Sequence, residues 1–136
     1  MQVYVDTSAL YAMLDARDAR HEAASRLWAE LLAIGVELYA TNYVLLETGA
    51  LLQNRVGVTA VRRFFDDIAP VLTVDWVDEP LHSEVVGLLL SVRRRDLSLV
   101  DCVSFAAMRR LGIADALAFD AHFEAHGFRC LGCEIG

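Results

Sequence analysis

Short apolar runs that read as strands alternate with longer stretches of helical spacing along this whole chain, and no other feature constrains its fold as much. Val3–Val5 is strand-like and passes into a short helix from about Ser8 to Asp15. "HEAASRLWAELLAIG" then repeats apolar positions at helical spacing and stops at Gly35. "VELYAT" reads as a strand, "NYVLLETGALLQNR" as a helix opened by Thr41 or Asn42, and "TAVRRFFDDI" as another helix. "VLTVDWV" is a strand flanked by Pro70 and Pro80. Two helices follow, "EPLHSEVVGLLLSVRRR" and "LSLVDCVSFAAMRRLG", before two short strands in "DALAF" and "FRCLG". Such alternation predicts an α/β fold with a mostly parallel sheet covered on both faces. No linker, repeat or low-complexity tract interrupts the chain, so residues 1–136 are expected to form a single domain.

Four acids stand where that pattern leaves little reason for a charge. Asp6 follows the first strand and Asp120 follows the strand-like "ALAF", which places both at carboxyl ends of strands, the edge where open α/β sheets bind ligands. Glu47 has Tyr43, Val44, Ala50 and Leu51 as its helical neighbours, an apolar face for a glutamate. Asp101 begins an apolar helix with Ser98 three residues earlier as its cap, so a purely local role in favouring the helix dipole is the simplest alternative for it.

If the four converge, each close pair repels by roughly 4 kcal/mol at about 4 Å and an effective dielectric near 20. Raised pKa values, arginine partners or a cation must then relieve them. Oxygen ligands without histidine or cysteine suit hard cations such as Mg²⁺ or Mn²⁺, which activate water and stabilise charge on a phosphoryl oxygen. Asp6, Glu47, Asp101 and Asp120 are thus the candidate metal ligands and catalytic residues, and phosphodiester hydrolysis is the chemistry they imply. The hydroxyls of Thr7, Ser8, Ser98 and Ser104 are candidates to support the carboxylates or hold a water beside them.

Composition removes competing chemistries. All 12 basic residues are arginine, so there is no lysine for a phosphate-binding P-loop or a Schiff base. A net charge of −7 argues against tight non-specific binding to nucleic acid but leaves room for a local patch, for which Arg93, Arg94 and Arg95 are candidates to touch RNA phosphates. Hydrophobic residues make up 56% of the chain, yet no apolar run approaches a membrane span, and the excess is expected to be hidden in an oligomer or complex. No basic stretch followed by a long apolar run opens the chain, so a cytoplasmic protein is expected.

The segments "VYVDTSAL", "YVLLETGALL", "LSLVDCVSFAAMRRLGI" and "ALAFDAHFEAHGF", in that order and at those intervals, resemble a PIN domain, and within that superfamily the VapC-type toxin ribonucleases. The resemblance covers nearly the whole chain. It implies a three-layer α/β/α sandwich and a Mg²⁺- or Mn²⁺-dependent endoribonuclease leaving 5′-phosphate and 3′-hydroxyl ends. It further implies a homodimer inhibited by an antitoxin protein, with Asp6, Glu47, Asp101 and Asp120 as the acidic cluster. Many members of the family carry a further acid two places after the last aspartate, where this chain has His122, so no second ion is inferred. The alternative is a PIN-like module that docks to a protein or RNA without cleaving it.

Three cysteines, Cys102, Cys130 and Cys133, do not suggest a disulfide framework. His122, His126, Cys130 and Cys133 have spacings that a structural zinc would accept, but the period-2 pattern of "FRCLG" turns Cys130 to the core, and Cys102 reads as a small core hydrophobe. Trp28 and Trp76 are expected to fill the core rather than stack on bases.

Overall fold

A computed structural model describes residues 1–133; residues 134–136, the end of the expected single domain, lie outside the described residues. The strands are β1 (Gln2–Val5), β2 (Glu37–Thr41), β3 (Thr73–Asp75), β4 (Asp115–Leu117) and β5 (Arg129–Cys130). Among them run the helices α1 (Thr7–Leu14), α2 (His21–Ala33), α3 (Asn42–Arg55), α4 (Val58–Arg63), α5 (Glu79–Val92), α6 (Leu99–Leu111) and α7 (His122–Ala125). All described strand pairs are parallel and the order is β3-β2-β1-β4-β5, the centre of a three-layer α/β/α sandwich.

Connections from β1 build outward to β2 and β3, whereas β4 returns to the other side of β1 and leads on to β5. The boundary between β1 and β4 is therefore the topological switch point, where the flanking connections diverge and leave a crevice at the carboxyl ends of the strands. Val3, Tyr4 and Val5 on the central strand are fully buried, as a strand covered on both faces requires. Each such side chain contributes about 1.5–3 kcal/mol. The Tyr4 hydroxyl lies 2.7 Å from Ser104 Oγ on α6 and donates to Thr41 Oγ1 at 3.4 Å, so its polar end ties β1 to both neighbours inside the core. Helix α6 begins at the Ser98 cap and ends at Gly112, whose φ of 72° suits glycine, with Arg109 and Arg110 against the negative end of the dipole.

Four expectations need correction. The helix "TAVRRFFDDI" stops at Arg63 and widens into a π turn over Phe64–Ile68, with Ala69 N–H reaching back to Phe64 O; Pro70, which has no N–H to donate, then ends the run in a 3₁₀ turn. The strand in "VLTVDWV" is only Thr73–Asp75, an edge strand whose pairing with β2 ends at Thr41↔Asp75. Trp76 falls just past that pairing and is 70% exposed rather than in the core, while Trp28 is buried as expected. Finally, Cys130 and Cys133 are joined in a disulfide, because the turn through Leu131 and Gly132 brings their Cα atoms to 5.4 Å, within bridging range. That bond, with His126 stacked on Phe105, removes the zinc arrangement considered for this segment. Cys130 and Cys102 are both buried, as the pattern predicts.

The same turn presses on the loop after β4. A Cβ at Gly132 would overlap the carbonyl oxygen of Ala118 and stand 2.7 Å from the Phe119 ring. Gly132→Ala is expected to cost about 1–3 kcal/mol by overpacking, read as a lower melting temperature. An unchanged melting temperature would show that this loop yields freely.

Candidate active site

Each acid is positioned by local chemistry at the switch point. Asp6 ends β1 and caps α1: its Oδ2 accepts from Ser8 N–H at 3.1 Å and from the Ser8 hydroxyl at 2.6 Å. The Ser8 oxygen in turn accepts from Phe119 N–H at 3.0 Å, so one hydroxyl links Asp6 to the loop that carries Asp120. Only 4% of Asp6 is exposed. Burial pushes its carboxyl up to about 6; the Ser8 hydrogen bonds pull the other way, and the nearby charges of Asp101 and Asp120 add to the rise.

Asp101 is the third residue of α6, its N–H donating to Ser98 Oγ at 3.0 Å. Burial and the Asp120 charge raise its carboxyl, and Ser98 draws it back. Asp120 Oδ1 accepts from the backbone N–H of His122 at 2.9 Å, which folds the loop so that this imidazole faces the acids. His122 Nδ1 is 2.8 Å from Asp120 Oδ1 and 4.0 Å from Asp101 Oδ2. Its alignment fits no hydrogen bond, however, and the buried nitrogen is left without a partner. On the far side of the ring, Nε2 lies 3.3 Å from Asp96 Oδ2. Asp96 is clamped by Arg94 through two bonds of 3.1 and 2.6 Å, and this pair, with His122, holds its carboxyl well below the usual range. The Asp96 hydrogen bond raises His122 against the opposing effect of burial, and the charges of Asp120 and Asp101 raise it further.

Ligand atoms of Asp101, Asp120 and His122 all lie within 4.8 Å of one another. Donors on opposite sides of a six-coordinate ion at 2.0–2.1 Å stand about 4.2 Å apart, and the 2.8 and 4.0 Å spacings from His122 Nδ1 to Asp120 Oδ1 and Asp101 Oδ2 fall within that reach. The unpartnered Nδ1, wedged between two carboxylates, fits a cation there. Asp6 borders this trio from β1. Glu47 does not join it: the side chain is half-buried on α3 and makes no hydrogen bond or ion pair among the described residues. Thr7 Oγ1 is buried beside Asp6 in sequence and has no hydrogen-bond partner. Ser104 is fully buried in the core, its hydroxyl bonded to that of Tyr4 and to none of the acids among the described residues. Arg94 is committed to Asp96, while Arg93 and Arg95 are exposed.

In the sequence, His122 stands where many family members carry a further acid and also at a spacing shared with the cysteines, while nothing singles out Asp96. The usable signal was the tight "DAH" interval, which puts His122 within reach of Asp120 once the loop closes on the hydrogen bond from His122 N–H to Asp120 Oδ1.

A parallel α/β/α sandwich with carboxylates gathered at its switch point defines the class, and the family follows from the sequence. Residues 3–129 match the PIN domain family, and the chain belongs to it. It is 39% identical over 127 residues to the 23S rRNA-specific endonuclease VapC20 of Mycobacterium tuberculosis, covering 93% of this chain and 95% of that protein. The crystal structure of M. tuberculosis VapC20, titled as a Sarcin-Ricin loop cleaving toxin, aligns with a TM-score of 0.81 at 38% identity, over 93% of this chain and 95% of that one. FitAcB from Neisseria gonorrhoeae shares the fold, with a TM-score of 0.66 at 14% identity over 96% of each chain.

The crowding of acids sets a pH dependence. Asp6 rises from 3.8 to about 6 on folding, so the folded chain keeps a proton that the unfolded chain has released. No penalty exists while both states are protonated; it grows from about pH 4 and is complete above about pH 6, at on the order of 3 kcal/mol. Asp101 and His122 are raised too, so their contributions also fall as pH rises. In chelator, the protein is expected to melt higher at about pH 5 than at about pH 7.5. Asp6→Asn should melt above wild type at the higher pH and show a flatter profile. Circular dichroism melts check this, and a melting temperature that climbs with pH over the range contradicts it.

Proposed function

We propose that this chain is a divalent-metal-dependent endoribonuclease, the toxin of a toxin–antitoxin pair, with the Asp6, Asp101, Asp120 cluster as its catalytic centre. The observation that carries the reading is the ion-sized group of Asp101, Asp120 and His122 ligand atoms at the β1–β4 crevice, bordered by a buried Asp6. Identity of 39% to a 23S rRNA-specific endonuclease across nearly all of both chains supports RNA as substrate.

Asp101 and Asp120 would hold the ion directly, and Asp6, fixed by Ser8, would hold it or one of its waters. Glu47 is assigned an outer role, reaching the ion through water from α3. Mg²⁺ or Mn²⁺ bound there would lower the pKa of a water and stabilise charge on the phosphoryl oxygen. The chain's own contribution is positional. Ser8 sets Asp6 and Ser98 sets Asp101, the Thr7 hydroxyl is left to hold a water beside them, and Ser104 bonds Tyr4 of the same strand as Asp6. The loop hydrogen bond to His122 N–H keeps Asp120 turned inward. Arg93 and Arg95 are exposed beside Asp96 and suit phosphates of the RNA flanking the cleaved bond, whereas Arg94 serves through Asp96.

Ribosomal RNA is the first substrate to test, because it is named for VapC20. No described helix is long and apolar enough to cross a membrane, and an RNA substrate implies a cytoplasmic location. Exposed large apolar residues such as Leu46, Val58, Leu88 and Leu90 suit burial against a second copy and an antitoxin.

Purified protein incubated with total RNA or intact ribosomes should cleave it in Mg²⁺ or Mn²⁺ and stop in excess chelator. Asp101→Asn and Asp120→Asn should each lower the rate by roughly 100-fold or more, as loss of several kcal/mol of metal-assisted stabilisation implies. Cleavage that survives chelation and both substitutions would overturn the assignment.

A further inference from the structure

The proposed nuclease reading treats the centre as a set of oxygens, but the residue that completes its geometry is an imidazole. We propose that His122 Nδ1 is a direct ligand of the bound ion, oriented by Asp96, and that this nitrogen makes the centre prefer a first-row transition ion such as Mn²⁺ over Mg²⁺. The inference rests on that reading for the position of the site and adds a ligand and a selectivity to it.

Three observations converge on Nδ1. It stands with Asp101 and Asp120 in a group whose ligand atoms lie within 4.8 Å of one another. It is buried and without a hydrogen-bond partner although it sits 2.8 Å from Asp120 Oδ1, which shows that the contact does not have donor geometry. Its sister nitrogen Nε2 faces Asp96 Oδ2 at 3.3 Å, and Asp96 is fixed by the fork of Arg94. A carboxylate that accepts the Nε2–H leaves the lone pair on Nδ1, directed at the two acids. Metal-bound histidines are held by this carboxylate–imidazole pairing, which sets the tautomer and sharpens the basicity of the ligating nitrogen.

A lone pair aimed at two carboxylates is repulsive, and either a proton on the nitrogen or a cation among the three groups relieves it. Imidazole adds little for Mg²⁺, which favours oxygen and keeps its waters, whereas affinity for nitrogen donors rises along the first-row divalent ions. One imidazole among carboxylates should therefore tilt the centre without closing it to Mg²⁺. The helix that carries His122, α7, starts at that residue, so the ligand is seated at the junction of a loop and a turn rather than deep in an element.

The test uses the full chain, MnCl₂ and MgCl₂. Pulsed electron paramagnetic resonance of bound Mn²⁺ should show coupling to one imidazole ¹⁴N in wild type and none in His122→Gln or His122→Asp. In competition titrations, His122→Asp should still bind Mn²⁺, with its preference over Mg²⁺ reduced by about 10-fold. Asp96→Asn should keep the nitrogen coupling and weaken Mn²⁺ binding by about 10-fold, while circular dichroism reports whether each variant is folded. Bound Mn²⁺ without nitrogen coupling in wild type overturns the proposal, as does an unchanged Mn²⁺/Mg²⁺ preference in folded His122→Asp. If the coupling is absent but Asp101→Asn still abolishes both Mn²⁺ binding and RNA cleavage, the nuclease reading stands and only the role of His122 falls. If wild type binds no Mn²⁺, or Asp101→Asn binds it equally well, both fall together.

Discussion

Repulsion among carboxylates that the backbone does not allow to separate is the constraint behind this molecule's design. β1 is buried through Val3, Tyr4 and Val5, so Asp6 has no freedom to swing toward solvent when neighbouring acids approach. Asp101 is held by a helix start and Asp120 by its own loop hydrogen bond. The positive charge available nearby is arranged at a distance, Arg94 acting on Asp96, and Asp96 acting on His122. No arginine pairs with Asp6, Asp101 or Asp120 among the described residues, and the gap between them stays open to a cation.

The hydroxyls divide into two groups with different effects. Ser8 and Ser98 work at the rim: the Ser8 hydroxyl donates to Asp6, which itself caps α1, and Ser98 caps α6 at the N–H of Asp101. Loss of the Ser98 hydroxyl would remove a cap, whereas loss of the Ser8 hydroxyl would loosen Asp6 and leave the backbone cap of α1 in place. Ser104 works from inside the sandwich, where its partner is a tyrosine of the central strand. Thr7, next to Asp6 in the chain, contributes a buried hydroxyl with no hydrogen-bond partner.

Much of this was readable from residue order because the decisive acids sit at junctions. Asp6 interrupts the passage from an apolar strand to a capped helix, and Asp120 follows an apolar run, so both announce a strand's carboxyl end without any knowledge of tertiary contacts. Asp101 was legible through its cap. Glu47 was picked out by its apolar helical face, yet an apolar face says only that a side chain is partly covered, as Glu47 is, and not which atoms it faces. His122 and Asp96 were hidden for a different reason. Their contact joins residues 26 apart, across two loops, and no local periodicity encodes it. Asp96 follows three arginines and looks like part of a solvated charge run. Trp76 was misplaced because period-2 alternation gives the direction of side chains but not the length of an edge strand. The disulfide was obscured by an odd cysteine count, which is resolved by leaving Cys102 alone in α6.

The Tyr4–Ser104 contact also carries a consequence beyond cohesion. Tyr4 precedes Asp6 by two residues on β1, and Ser104 follows Asp101 by one turn of α6, so a single 2.7 Å bridge sets the spacing of strand and helix directly beneath both acids. The aperture offered to an ion is thus gauged from the interior.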